Sequence, residues 1–189
     1  MSIAISPPNM TTKELLTLPQ NGVDRWLIRG QLREKPMTVR NRWHSLIMAR
    51  IAQVLNNWID RQPVPRGSVL CGEAGVRLRR DPDTTVGVDV VFVPPEVAAR
   101  SSPDTTLIDG VPVLMVEILS PSDRQEEIDE KIDAYLSAGV ALVWVIDPHH
   151  RTVEIFRPGR EPELVNVLQE LSGEPHLPGF RAPVAQLFT

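Results

Sequence analysis

The chain is poor in the features that mark secreted, membrane-embedded or zinc-dependent proteins. It has a single cysteine, Cys71, in 189 residues. That excludes an internal disulfide framework and predicts a reducing, cytoplasmic setting. No Cys/His spacing of the zinc type occurs. No apolar run approaches the roughly 20 residues that a membrane-spanning helix requires, so no membrane contact is expected. The opening residues, MSIAISPPNMTTKELL, show no basic stretch leading into an apolar one, which predicts no signal peptide. Positive charge is not in excess either. The net charge is −4, which argues against a non-specific nucleic-acid coat protein while leaving room for a local basic patch.

What is present fits one compact domain. Hydrophobic residues make up 42% and charged residues 23%, ordinary for a globular chain with one substantial core. The 18 prolines cluster near the N-terminus, at 63–65, at 94–95 and toward the C-terminus, and so mark loops between elements. Residues 1–22 read as an irregular or loosely attached arm, and 23–189 as a single domain. Residues 24–36 predict a short hairpin turning at Arg29-Gly30. Trp43, Ile47, Ile51, Val54, Leu55 and Trp58 recur at the helical period and predict a helix over 39–61, ended by Pro63 and Pro65.

Strand-like segments follow at 68–80, bulged near Gly72 and Gly75, at 86–94 and at 111–119. A Pro/Ser/Asp-rich loop with room for a short helix lies between the last two. A second helix is expected at about 122–138, capped by Ser122 with Gln125 reaching back, and stopped by Gly139. Residues 141–147 and 152–157 predict two more strands. The C-terminal residues, 161–189, predict a further strand and an apolar-anchored tail. The fold class is thus α/β (α+β): a central mixed sheet flanked by helices, with core order helix, three strands, helix, strand.

Two strands carry an unexpected carboxylate. Asp89 stands alone among the apolar residues of VGVDVVFV, and Glu117 among those of VLMVEILS. A buried ionised carboxylate costs several kcal/mol or more unless it is paired, hydrogen-bonded or metal-bound. One such residue favours a structural ion pair, with Arg77, Arg79 or Arg80 as partner. Two alter the balance. By strand alternation Asp89 shares its face with Val91 and Val93, and Glu117 with Met115 and Leu119. In adjacent strands and suitable register they converge, and two like charges that close call for a divalent cation. Oxygen ligands of this kind suit Mg²⁺ or Mn²⁺, which can polarise a phosphate and activate water.

Lys131 lies on the second helix between Ile128 and Tyr135, near its inward face. By itself it reads as a snorkelling lysine; beside paired carboxylates its ammonium can orient water or stabilise a phosphate. His44 leans toward the core from the first helix, where a lone histidine is more often structural than a ligand. Glu73 either reaches the same sheet face or caps a bulge.

The stretch VLMVEILSPSD, then KIDAYLSAGV on a helix, then LVWVIDP resembles a large bacterial restriction endonuclease-like family of the PD-(D/E)XK nuclease superfamily. The closing LPGF fits as well, and the resemblance spans about residues 24–188. It implies that Asp89 is the aspartate of the first superfamily motif and Glu117 the acid of the second. It implies that these two and the backbone carbonyl of Ile118 hold Mg²⁺ or Mn²⁺, that Lys131 handles the attacking water, and that His44 and Glu73 are auxiliary. The chain departs from the pattern in three places. Val88 replaces the usual proline, Leu119 stands where the superfamily has lysine, and Glu127 stands where the family often has aspartate. The resemblance places the missing lysine at Lys131.

Three functions follow as expectations. The first is a metal-dependent DNA endonuclease, expected to act as a homodimer as restriction-type nucleases commonly do. The second is a non-cleaving DNA- or protein-binding module on a nuclease-derived fold. The third is a structural role for both acids in ion pairs.

Overall fold

The computed structural model describes residues 9–37, 41–100 and 106–189. The first residues of the expected arm, the start of the expected first helix and some of the Pro/Ser/Asp-rich loop lie outside these. In chain order the elements are α1 (Thr12–Leu15), β1 (Val23–Ile28), β2 (Gln31–Pro36), α2 (Arg42–Ile59), β3 (Ser68–Arg79), β4 (Thr84–Val93), α3 (Pro95–Ala98), β5 (Ile108–Asp109), β6 (Leu114–Ile118), α4 (Gln125–Ala138), β7 (Leu142–Asp147), β8 (Thr152–Phe156), β9 (Glu163–Asn166), β10 (Glu170–Ser172), β11 (Arg181–Pro183) and a closing 3₁₀ turn, Val184–Phe188. The expected core order is present as α2, β3, β4, β6, α4, β7.

One mixed sheet organises the chain, in the order β2-β1-β4-β6-β7-β8-β9, with β3 on the other edge of β4 and β5 beside β3. Alternation along the central strands sorts their apolar side chains into two layers. Val90, Phe92, Leu114 and Val116 pack with Ile47, Ile51 and Leu55 of α2 and with the C-terminal Leu187 and Phe188. Val91, Val93, Met115, Val143 and Val145 pack with Ile128, Ile132 and Tyr135 of α4. A sheet apolar on both faces needs such cover on both sides.

The most consequential feature is a fork. β4 runs antiparallel to β3 along nearly its whole length. Its opposite edge is shared: β1 meets it only at Leu27↔Thr85, and β6 only from Val90↔Val116 to Phe92↔Leu114. Between Thr85 and Val90 that edge has no strand partner among the described residues, and the sheet opens.

Several local expectations are revised. Residues 9–22 of the arm are not loosely attached. Thr11 and Glu14 form a capping box around α1, and Met10 N–H donates to the Gly30 carbonyl at 2.8 Å. Thr12 is buried; its backbone N–H and hydroxyl both donate to Asp83 Oδ2 at 2.6 Å. A four-residue helix is too short to show a hydrophobic period, so the sequence pattern is silent there. Asp83→Ala leaves both Thr12 donors without that acceptor. We expect a loss of about 1–3 kcal/mol in chemical denaturation and faster proteolysis near residue 15.

Trp43 does not join the apolar stripe of α2. It is 47% exposed, and the Arg42 guanidinium lies 4.5 Å from its ring centre. It stands in the first turn of α2, outside the core cluster that Ile47, Ile51, Val54 and Leu55 join. The predicted cap of the second helix also differs. Ser122 and Gln125 do not form a capping box; α4 begins after Arg124, and Gln125 donates to Asp129. Asp123 instead accepts from Ser120 N–H at 2.7 Å, folding the Ser-Pro-Ser segment into its own turn and delaying the helix. Gly139 stops α4 with a left-handed φ of 99°, a conformation that favours glycine. The C-terminal region holds three short strands where a single one was expected, with β10 and β11 forming a separate two-stranded sheet.

Candidate active site

Asp89 and Glu117 meet because of register. β4 and β6 pair antiparallel with Val90 opposite Val116. One step further, where the ladder has ended, Asp89 stands opposite Glu117. Asp89 Oδ2 accepts the Ile118 N–H at 2.8 Å, so a side chain takes over where strand pairing stops. Both residues are buried, 4% and 5% exposed.

The fork lets both helical layers reach these acids. From α2, whose first turn is capped by Asn41, the buried His44 brings Nε2 to 3.1 Å from Asp89 Oδ1. From α4, Lys131 Nζ lies 3.1 Å from each oxygen of Glu117. One helical turn further, the Tyr135 hydroxyl donates to Glu117 Oε1 at 2.5 Å. Positions i and i+4 share a helix face, so Lys131 and Tyr135 grip one carboxylate together. Lys131 also lies 5.7 Å from the Trp26 ring centre.

Glu73 occupies the bulge of β3 between Cys71 and Ala74, with a left-handed φ of 60° following Gly72 at 91°. Its carboxylate folds over Gly87: a Cβ there would stand 2.8 Å from Glu73 Oε2. Gly87 and Asp89, two residues apart, project to the same side of β4. Glu73 thus lies within the bulge, with its carboxylate on the face of β4 that carries Asp89. Two of the arginines considered as ion-pair partners point elsewhere. Arg77 and Arg80 bind Asp109, at 2.7 and 2.5 Å.

These groups line a cleft of about 590 Å³, walled by Glu73, Asp89, Glu117, Ile118 and Lys131 on one side and by the arm and the β1–β2 hairpin on the other. Lys35 of β2 reaches across to Asp123 at 3.1 Å and ties the hairpin to the segment before α4.

Burial pushes the Glu117 carboxyl above its ordinary range; Lys131 opposes this and the charge of Asp89 adds to it. Burial and the nearby Glu117 charge hold the Tyr135 phenol well above its usual value, so it remains a donor. The sign of the stability effect follows. With a folded-state value above the unfolded one, Glu117 keeps a proton in the native chain that the unfolded chain releases. Its contribution is greatest below the ordinary glutamate value of about 4.3 and falls as pH rises through the raised value. Urea unfolding from pH 4 to 8 should show this decline, and Glu117→Gln should flatten it. An unchanged profile in the variant would place the titration elsewhere.

A family model described as "Uma2: Putative restriction endonuclease" matches residues 12–185, nearly the whole chain. The chain belongs to this family. A solved structure entitled "Crystal structure of a putative nuclease belonging to DUF820 from Anabaena variabilis ATCC 29413" superposes with a TM-score of 0.77 at 23% identity, over 95% of this chain and 97% of that one. At that identity the likeness shows the fold alone, a central mixed sheet flanked by helices. Comparison with curated proteins gives no match.

The Uma2 match begins at the start of α1, which accords with the docking of residues 9–22. The candidate residues Asp89, Glu117, Lys131, His44 and Glu73 all lie around the fork. Tyr135 was not expected at Glu117. The i+4 spacing from Lys131 is the available signal. Nor was the Lys35–Asp123 tie expected, whose partners are separated by 88 residues.

Proposed function

We propose that this Uma2 protein is a metal-dependent endonuclease that hydrolyses DNA phosphodiester bonds with a divalent cation, Mg²⁺ or Mn²⁺. One observation carries the reading: two strand carboxylates and a helix ammonium converge in an open cleft at a break in the sheet. The donor chemistry supports the cation. Asp89 and Glu117 offer only oxygen, and their mutual repulsion raises the cost of charging Glu117. Among the described residues no three His, Cys, Asp or Glu side chains group as a metal site. A cation that takes two carboxylates, a carbonyl and several waters suits this sparse set, and Mg²⁺ binds in that manner.

Asp89, Glu117 and the Ile118 carbonyl would hold the ion. When bound, it supplies Lewis acidity toward the phosphate and lowers the pKa of water. The chain's own groups do the rest. Ile118 N–H fixes one oxygen of Asp89, and His44 flanks the other. Tyr135 holds Glu117 from behind. Lys131 lines the cleft and spends two of its three N–H bonds on Glu117; the third can orient a water and stabilise charge on an opening phosphodiester.

The test is nicking of supercoiled plasmid by purified protein with Mn²⁺, halted by a chelator, together with calorimetric titration of the ion. Metal binding without cleavage of any nucleic acid would favour the non-cleaving binding module. No binding at millimolar metal would leave Glu117 and Lys131 as a structural ion pair.

A further inference from the structure

We propose that the cleft is built for single-stranded DNA: an unpaired base rests on an apolar shelf while its phosphate lies at Asp89 and Glu117. This rests on the endonuclease reading and adds the substrate class. Besides the acids, the cleft is lined by Leu15, Leu18, Leu16 and Met37, the last two 56% and 60% exposed. Scattered exposed apolar side chains are unremarkable, but these face one cavity that is continuous with the carboxylates.

Charge limits the number of phosphate contacts. The described lining residues include three cations, Arg25, Lys35 and Lys131, against six carboxylates. Each of the three cations is held by a carboxylate: Arg25 by Glu34 at 2.6 Å, Lys35 by Asp123 and Lys131 by Glu117, both at 3.1 Å. Duplex DNA is gripped chiefly through many phosphates, and this lining offers little for that. A cleft of about 590 Å³ has room for a nucleotide-sized group. An unpaired nucleotide suits a lining that holds both apolar side chains and the acids, since apolar side chains take the flat faces of a base and unpairing costs least where the strand is already single.

The experiment is fluorescence anisotropy of a labelled oligothymidine strand, and of its duplex with oligoadenosine, against the full chain with Ca²⁺ in place of a catalytic ion. The single strand should bind about tenfold or more tighter. Its log affinity should fall with log salt at a slope of only about one to two, the mark of few phosphate contacts. Leu16→Asp and Met37→Asp should each weaken single-strand binding about tenfold and leave Mn²⁺ affinity by calorimetry unchanged. Leu16→Ala serves if the charged variant misfolds, with circular dichroism as the check. Equal or tighter duplex binding, or variants that bind the single strand as well as the parent, would overturn the proposal. Failure of the endonuclease reading is separate: it shows as absent cleavage of every nucleic acid with Mn²⁺ while strand binding and its Leu16 dependence persist.

Discussion

Asp89→Asn should abolish metal-dependent cleavage, by a factor on the order of a hundred to a thousand or more, with little change in folding stability. The asymmetry follows from the two oxygens of Asp89. One accepts the Ile118 N–H at 2.8 Å, and the amide oxygen of asparagine can do the same, so the strand junction survives. The other faces His44 at 3.1 Å and lies beside the cleft, and there the negative charge is what matters. A neutral amide is a poor ligand for Mg²⁺ or Mn²⁺ beside a single remaining carboxylate. Removing the charge also relieves Glu117, whose carboxyl should shift back toward its ordinary range. Plasmid nicking and calorimetry read the two losses, and thermal denaturation reads the retained fold. A variant that cleaves at the parental rate would remove Asp89 from the chemistry.

Lys131→Met should be equally damaging to cleavage and, unlike Asp89→Asn, should destabilise the protein in a pH-dependent way. Lys131 is the cation that opposes the burial cost of Glu117. Removing one partner of a buried pair costs about 3–5 kcal/mol when the other must stay charged. Glu117 can escape that cost by taking a proton. The loss should therefore be small near pH 5 and grow toward pH 8. Replacing both residues, Lys131→Met with Glu117→Gln, should restore stability at pH 8 but not cleavage. That pattern separates the structural contribution of the pair from its chemical one. A single Lys131→Met variant that is stable at all pH values yet inactive would mean that Glu117 is already protonated beside Lys131.

Local rules made much of this molecule legible. The helical period located α2 to within a few residues at each end, and it missed at Trp43 because a stripe does not show where the core cluster ends. Short apolar runs found β4, β6 and β7, and the lone carboxylates within the first two marked the candidate site. Capping was harder to read. Ser122 and Gln125 satisfy the spacing of a cap, but Asp123 is drawn away by Ser120 N–H, a competition the spacing does not display. The arm was illegible for a related reason: α1 is held by Asp83, 71 residues away, and not by a pattern of its own.

Which side chains are available, and which face of each strand carries them, can be read locally, because alternation and helical period are set within a few residues of chain. Asp89, Glu117 and Lys131 come out on inward-facing positions in this way. Their meeting is a property of the assembled fold. That depended on the β4–β6 register, on β1 and β6 dividing one edge of β4 so that the sheet opens at Asp89, and on α4 crossing at the height that sets Lys131 and Tyr135 against Glu117. Each is a contact between segments distant in the chain, fixed by the packing of two apolar layers, and no local period encodes it.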